Sequence, residues 1–141
     1  MGEGELRDIA TRLHAASIRL LRTLRREDDG SGLSAPRLSA LSVVAFGGPQ
    51  SLAELAAAEP VRPPTMSRIV DYLVEEGLVT RETAPGDRRS VRIEATEKGR
   101  RLMEAGRERR VRALVGRLLA LAPSERRALA RGVEVLERVT R

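Results

Sequence analysis

The sequence contains no cysteine and no tryptophan, and it has one residue each of histidine, phenylalanine, tyrosine and lysine (His14, Phe46, Tyr72 and Lys98). The lack of cysteine excludes disulfides, thiolate metal sites and thiol redox switches. A single histidine excludes the usual imidazole-based zinc sites. We therefore expect no metal and no other cofactor, and any ligand is expected to be an organic molecule.

Long hydrophobic runs are also missing. No stretch of about 18 uncharged apolar residues occurs, and the first residues, MGEGELRD, lack the basic and apolar parts of a signal peptide. We therefore expect a cytoplasmic protein that is not associated with a membrane. With 141 residues, 41% of them hydrophobic, the chain is expected to form one domain over residues 1–141.

The patterns that mark enzymes are absent as well. The sequence shows no nucleophile with a base, no paired catalytic carboxylates, no metal-ligand cluster and no glycine-rich phosphate loop. These absences predict a protein that is not an enzyme.

Positive charge is in excess, but it is unevenly distributed. The chain has 26 basic and 20 acidic residues, a formal net charge of +6. All basic residues except Lys98 are arginines, whose planar guanidinium suits bidentate contacts with phosphate and guanine. Residues 100–141 contain 12 basic and 5 acidic residues, so the excess lies in the last third of the chain. Net charge is therefore compatible with polyanion binding but does not locate a binding face.

Hydrophobic periodicity predicts helices at both ends of the chain and around its middle. An amphipathic helix is expected over residues 5–26, ended by the acidic and glycine residues 27–32. Ser34 then offers an N-cap for a second helix that ends near Gly47. At the other end Thr96 caps a long helix, and Pro123 opens the last one.

Between these helices lie two short helices and a hairpin. Ser51 and Glu54 have the spacing of a capping box, which starts a third helix that must stop before Pro60. A fourth helix follows over residues 63–76, with Met66, Ile69, Val70 and Leu73 facing inward. Two segments of period two, residues 78–82 and 90–95, flank a Pro-Gly turn and predict a β-hairpin.

This order of elements is typical of a winged helix-turn-helix, in which the second helix of the pair, the recognition helix, enters the major groove of DNA. Its outer face is predicted to carry Pro64, Arg68, Asp71 and Glu75, with Thr65, Ser67 and Tyr72 on the flanks. Arg68 suits guanine edges or phosphate, and the hydroxyls of Thr65 and Ser67 suit phosphate. The first-turn N–H groups also favour anions. An ordinary solvated surface helix is the alternative, which the hairpin disfavours.

The segment from Thr65 to Val79, followed by Asp87-Arg88-Arg89-Ser90 and Thr96-Glu97-Lys98-Gly99, resembles the MarR family over essentially the whole chain. The resemblance implies a mainly α fold with a small β-hairpin wing. Within that fold, residues 34–99 form the DNA-binding lobe, and residues 5–32 and 100–141 form long N- and C-terminal dimerisation helices.

The wing motif of the family is matched by Asp87, Arg89 and Thr96. An Asp87–Arg89 pair is expected to hold the hairpin tip, while Arg88 projects toward the electronegative minor groove and Arg89 contributes to DNA binding. The chain departs from the family pattern before the recognition helix. Arg62 and Pro63 replace the usual serine cap and arginine. Either Arg62 recovers a phosphate contact from a shifted backbone, or the start of the helix is less ordered than usual before DNA binds.

A second departure precedes the last helix, where Ala122 replaces a common cap serine, so that the helix either starts uncapped or uses Ser124. The resemblance implies a homodimer that binds an inverted-repeat operator in double-stranded DNA, acts as a repressor and is released by a small lipophilic or phenolic effector. His14 and Phe46 are the candidate residues for an effector pocket. An alternative is a winged-helix module for protein interaction or RNA binding without operator specificity.

Overall fold

The computed structural model describes residues 1–83, 86 and 91–141, and these residues form two compact units. The winged-helix unit is Asp28–Arg107, and the terminal unit combines Met1–Glu27 with Glu108–Arg141. The elements in chain order are α1 (Glu3–Arg25), a 3-10 helix (Arg26–Ser31), α2 (Ala35–Gly47), β1 (Gln50–Ser51), α3 (Leu52–Ala58), α4 (Pro63–Glu75), β2 (Val79–Thr83), β3 (Val91–Ala95), α5 (Glu97–Leu119) and α6 (Pro123–Val139). The mainly helical fold with a small antiparallel sheet confirms the predicted fold class.

The sheet of the winged-helix unit has three antiparallel strands in the order β1-β3-β2. The predicted hairpin strands pair with Val79 opposite Ala95 and Thr83 opposite Val91. On the other edge of β3, Gln50 lies opposite Ile93. This third strand was not predicted, because two residues are too few to show a period.

The hydrophobic core lies between α2, α3, α4 and the sheet. The recognition helix, α4, contributes the four residues that were predicted to face inward, and all of them are buried. The largest fully buried side chains are Leu41, Leu55, Met66, Leu73, Ile93 and Val70. Burial of this apolar surface fixes which side of α4 faces solvent.

The predicted caps have different outcomes. In the capping box, Glu54 N donates to Ser51 Oγ at 3.1 Å, and Ser51 N donates to a Glu54 carboxylate oxygen at 2.9 Å. Ser34 is the N-cap residue of α2, but its side chain makes no capping bond, so that part of the prediction is wrong. Helix α6 starts without a side-chain cap, the first of the two alternatives, and Ala122 N donates to Glu125 Oε2 at 2.8 Å.

The end of α4 is held by the start of α5. Gly77 has φ of +69°, which ends the helix in a left-handed turn, and Leu78 N donates back to Leu73 O at 2.8 Å. Thr96 Oγ1 donates to Gly77 O at 2.6 Å and accepts from Gly99 N at 3.1 Å, which confirms its capping role. Lys98 Nζ donates to Glu76 O at 2.7 Å, placing a cation at the negative end of α4.

In the terminal unit, α1 and α6 contain no buried residue. Arg126 closes the corner between α5 and α6, where Nη2 donates to Leu119 O at 2.7 Å and Nε to Leu121 O at 3.1 Å. These bonds satisfy carbonyl groups that the end of a helix leaves without partners. Among the helices of the described residues, none is long and apolar enough to span a lipid bilayer.

Candidate nucleic-acid interface

Helix α4 begins without a side-chain cap, as its sequence predicts. Arg62 is the N-cap residue with extended backbone angles, φ −68° and ψ 144°, and Met66 N donates to Arg62 O at 3.0 Å. The two prolines that follow have no N–H group. Among the described residues, only Arg62 and Thr65 therefore keep an N–H group without a partner in the first turn. Because fewer N–H groups lack a partner, the missing side-chain cap costs less free energy. The anion site expected from the first-turn N–H groups is smaller for the same reason.

The residues predicted to contact DNA lie on the outer side of the start of α4. Pro64, Thr65 and Arg68 are exposed, as is the preceding Arg62, and Ser67 is half-buried. Within the described part of the chain, Arg62 and Arg68 have no carboxylate within ion-pair distance. Their guanidinium groups are free to bind an anion.

The first acidic residue beyond Arg68 on this helix is already paired. Asp71 Oδ1 lies 2.8 Å from Arg81 Nη2 on strand β2. The two side chains remain substantially exposed, at 55% and 36%, so the pair stabilises the fold by about 1 kcal/mol or less. Its electrostatic effect is local, because it neutralises a carboxylate that would repel phosphate next to Arg68.

A second contact of α4 comes from α2. The guanidinium carbon of Arg37 lies 3.4 Å from the centroid of the Tyr72 ring, a cation–π contact, and both residues are half-buried. The sequence did not indicate this pair, since it depends on how α2 packs against α4.

The remaining predicted site residues are those of the wing and those of the effector pocket. The predicted wing residues Asp87, Arg88 and Arg89 lie outside the described residues, although the strands that lead to them are described up to Thr83 and from Val91. His14 is exposed on α1 in the terminal unit. Phe46, 51% exposed, lies at the end of α2 in the winged-helix unit.

Two short helices joined by a turn, followed by antiparallel strands and a long helix, define a winged helix-turn-helix protein. The model of the MarR family matches residues 31–90. An uncharacterised HTH-type transcriptional regulator of Mycobacterium leprae is 36% identical over 128 residues, covering 91% of this chain and 90% of that protein. The chain belongs to the MarR family and is a DNA-binding transcriptional regulator.

Solved structures agree in fold. A MarR family protein from Bacillus stearothermophilus superposes with a TM-score of 0.81 at 25% identity, covering 99% of this chain and 98% of that one. BpsR of Bordetella bronchiseptica, whose DNA binding is regulated by 6-hydroxynicotinic acid, has a TM-score of 0.61 at 23% identity, covering 94% of this chain and 92% of that one. At 23% identity, the similarity to BpsR shows a shared fold and nothing more.

Proposed function

We propose that this regulator is a cytoplasmic repressor that binds an inverted-repeat operator as a homodimer and is released by a small organic effector. The observation that carries the proposal is the outer face of α4, where Arg62 and Arg68 are exposed and unpaired among the described residues. Family membership makes duplex DNA the expected partner of that face.

Each residue of this face has a proposed role that follows from its chemistry. Arg68 reads guanine or binds phosphate, and the hydroxyls of Thr65 and Ser67 donate to phosphate. Pro64 packs closely against the DNA backbone that borders the major groove, and Arg62 binds a flanking phosphate.

The proposed roles of the wing residues are different. Asp87 pairs with Arg89 to hold the tip, and Arg88 and Arg89 provide contacts with the minor groove and the DNA backbone.

The homodimer is supported by the exposed apolar surface of the terminal unit. Both α1 and α6 are amphipathic helices, yet their apolar side chains are exposed: Leu6 on α1 by 55% and Val133 on α6 by 45%. A second copy of the chain would cover such surfaces by two-fold symmetry. We therefore assign residues 5–32 and 100–141 to dimerisation and residues 34–99 to DNA binding.

The effector is proposed to be a small lipophilic or phenolic molecule. Support comes from the family fold, since BpsR, which shares it, is regulated by 6-hydroxynicotinic acid. His14 and Phe46 are the proposed contacts, with leucine, valine and methionine providing the apolar lining. Family and relatives indicate regulation and not catalysis.

The test of this proposal is selection of bound duplexes from a random pool, followed by binding measurements over a range of salt concentrations. A dimer that reads two major grooves should enrich an inverted repeat with half-sites about 10 bp apart. Absence of enrichment, with only weak salt-sensitive binding, would instead favour the protein-interaction or RNA-binding alternative.

The Arg68→Ala variant should bind the selected duplex about ten-fold or more weakly, since a guanine contact contributes about 1–3 kcal/mol. The measurement is a fluorescence anisotropy titration. Arg131→Ala on α6 is the control, because it removes the same charge from an exposed position outside the winged-helix unit. Equal affinities of the two variants would show that Arg68 does not contact the operator.

A further inference from the structure

The cation–π pair between Arg37 and Tyr72 lies beside the face proposed to bind DNA. Tyr72 follows Arg68 by four residues and Thr65 by seven, so the three share one side of α4. Arg37 comes from α2, which packs against α4, and its guanidinium lies over the Tyr72 ring at 3.4 Å. An arginine from a second helix is thus held next to the outer face of the recognition helix.

The charge of Arg37 is not used elsewhere in the described part of the chain. No carboxylate of those residues lies within ion-pair distance of Arg37, and its guanidinium makes no hydrogen bond with them. Stacking occupies one flat face of the guanidinium and leaves the N–H groups at its edges available. Those edges are the groups that bind phosphate in a bidentate manner.

Stacking also reduces the entropic cost of binding. A free arginine side chain loses rotamer freedom when it binds a phosphate. Here Tyr72 already limits the positions of the guanidinium before an anion arrives, so less freedom remains to be lost.

We propose that Arg37 is a further DNA-binding residue that contacts a backbone phosphate next to the recognition helix, and that Tyr72 is its positioning residue. The inference rests on the proposed binding of duplex DNA. Because the contact is with phosphate, it adds affinity without sequence preference.

The experiment measures binding to the selected duplex and to a scrambled duplex of equal length over a range of salt concentrations. Arg37→Gln, which keeps the apolar stem but not the charge, should lower the slope of log K against log salt by about 0.9. Both duplexes should lose affinity by the same factor. Arg37→Lys should retain the slope of the wild type.

The role of Tyr72 is tested by a double-mutant cycle. Tyr72→Phe keeps the ring and should bind like the wild type, whereas Tyr72→Leu should weaken binding about three-fold. In the Arg37→Gln background, Tyr72→Leu should have almost no further effect. An equal effect in both backgrounds would overturn the positioning role.

Thermal unfolding of each variant separates binding from folding. A changed melting temperature with an unchanged salt slope for Arg37→Gln would mean that the pair only joins α2 to α4, and would overturn the inference. Failure of the wild type to bind either duplex would instead refute the proposed function itself.

Discussion

Replacing Gly99 with alanine is expected to lower the free energy of unfolding by about 3 kcal/mol, as overpacking in a closely packed site does. A Cβ added to Gly99 would lie 2.1 Å from Leu78 O and 3.3 Å from Leu41 Cδ1. The Leu78 carbonyl cannot simply turn away, because it accepts a hydrogen bond from Thr96 N at 3.0 Å. Helix α5 would have to move away from the end of α4.

Urea denaturation followed by circular dichroism measures this effect as a shift of the midpoint at constant slope. Gly116→Ala is a matched control on the same helix, since a Cβ added there meets no atom of the chain's described residues within 4 Å. Alanine is the better helix former, so this control should gain about 0.5–1 kcal/mol. A Gly99→Ala protein as stable as the wild type would show that the start of α5 does not need close contact with Leu78.

Features encoded within a few neighbouring residues could be predicted from the sequence. The spacing of Met66, Ile69, Val70 and Leu73 fixed the buried side of α4, since a helix places residues three and four apart on one face. The box at Ser51 was predictable for the same reason, as both of its hydrogen bonds join residues three positions apart.

Side-chain choices with several local solutions were predicted less well. Ser34 occupies the N-cap position without making the capping bond. Helix α6 starts without a side-chain cap, and Ser124 does not replace the missing serine; Glu125 accepts only from the N–H group of Ala122, which a carboxylate three residues ahead can reach. The acidic and glycine segment after α1 forms a 3-10 helix over Arg26–Ser31, where only a break was expected.

Contacts between distant parts of the chain were not predicted. Arg37 meets Tyr72, and Asp71 meets Arg81, only after α2, α4 and β2 have packed together. In a linear sequence, Arg37 is one arginine among many in a chain with 26 basic residues. The candidate DNA face was therefore predicted on the recognition helix, where it follows from periodicity, but its neighbour on α2 required the tertiary structure.

The Val133→Glu variant is expected to convert the proposed dimer into monomers. Helix α6 leaves Leu129, Val133 and Val139 exposed by 42%, 45% and 75%, and in a dimer a second copy would bury them. A carboxylate introduced at this interface would lose its hydration without gaining an ion-pair or hydrogen-bond partner, which costs several kcal/mol. Sedimentation equilibrium should show the molecular mass falling by half.

Arg131→Gln is the matched control for Val133→Glu, since it changes the net charge by the same amount. Two residues along a helix are separated by about 200° around its axis, so Arg131 lies away from the apolar stripe of α6. This control should remain dimeric.

The monomeric Val133→Glu variant should bind the inverted repeat about 100-fold more weakly than the wild type, because its second DNA-binding lobe is no longer linked to the first. It should bind a single half-site as the wild-type lobe does, since α6 lies outside the winged-helix unit. A Val133→Glu protein that stays dimeric with full operator affinity would show that another surface joins the two copies.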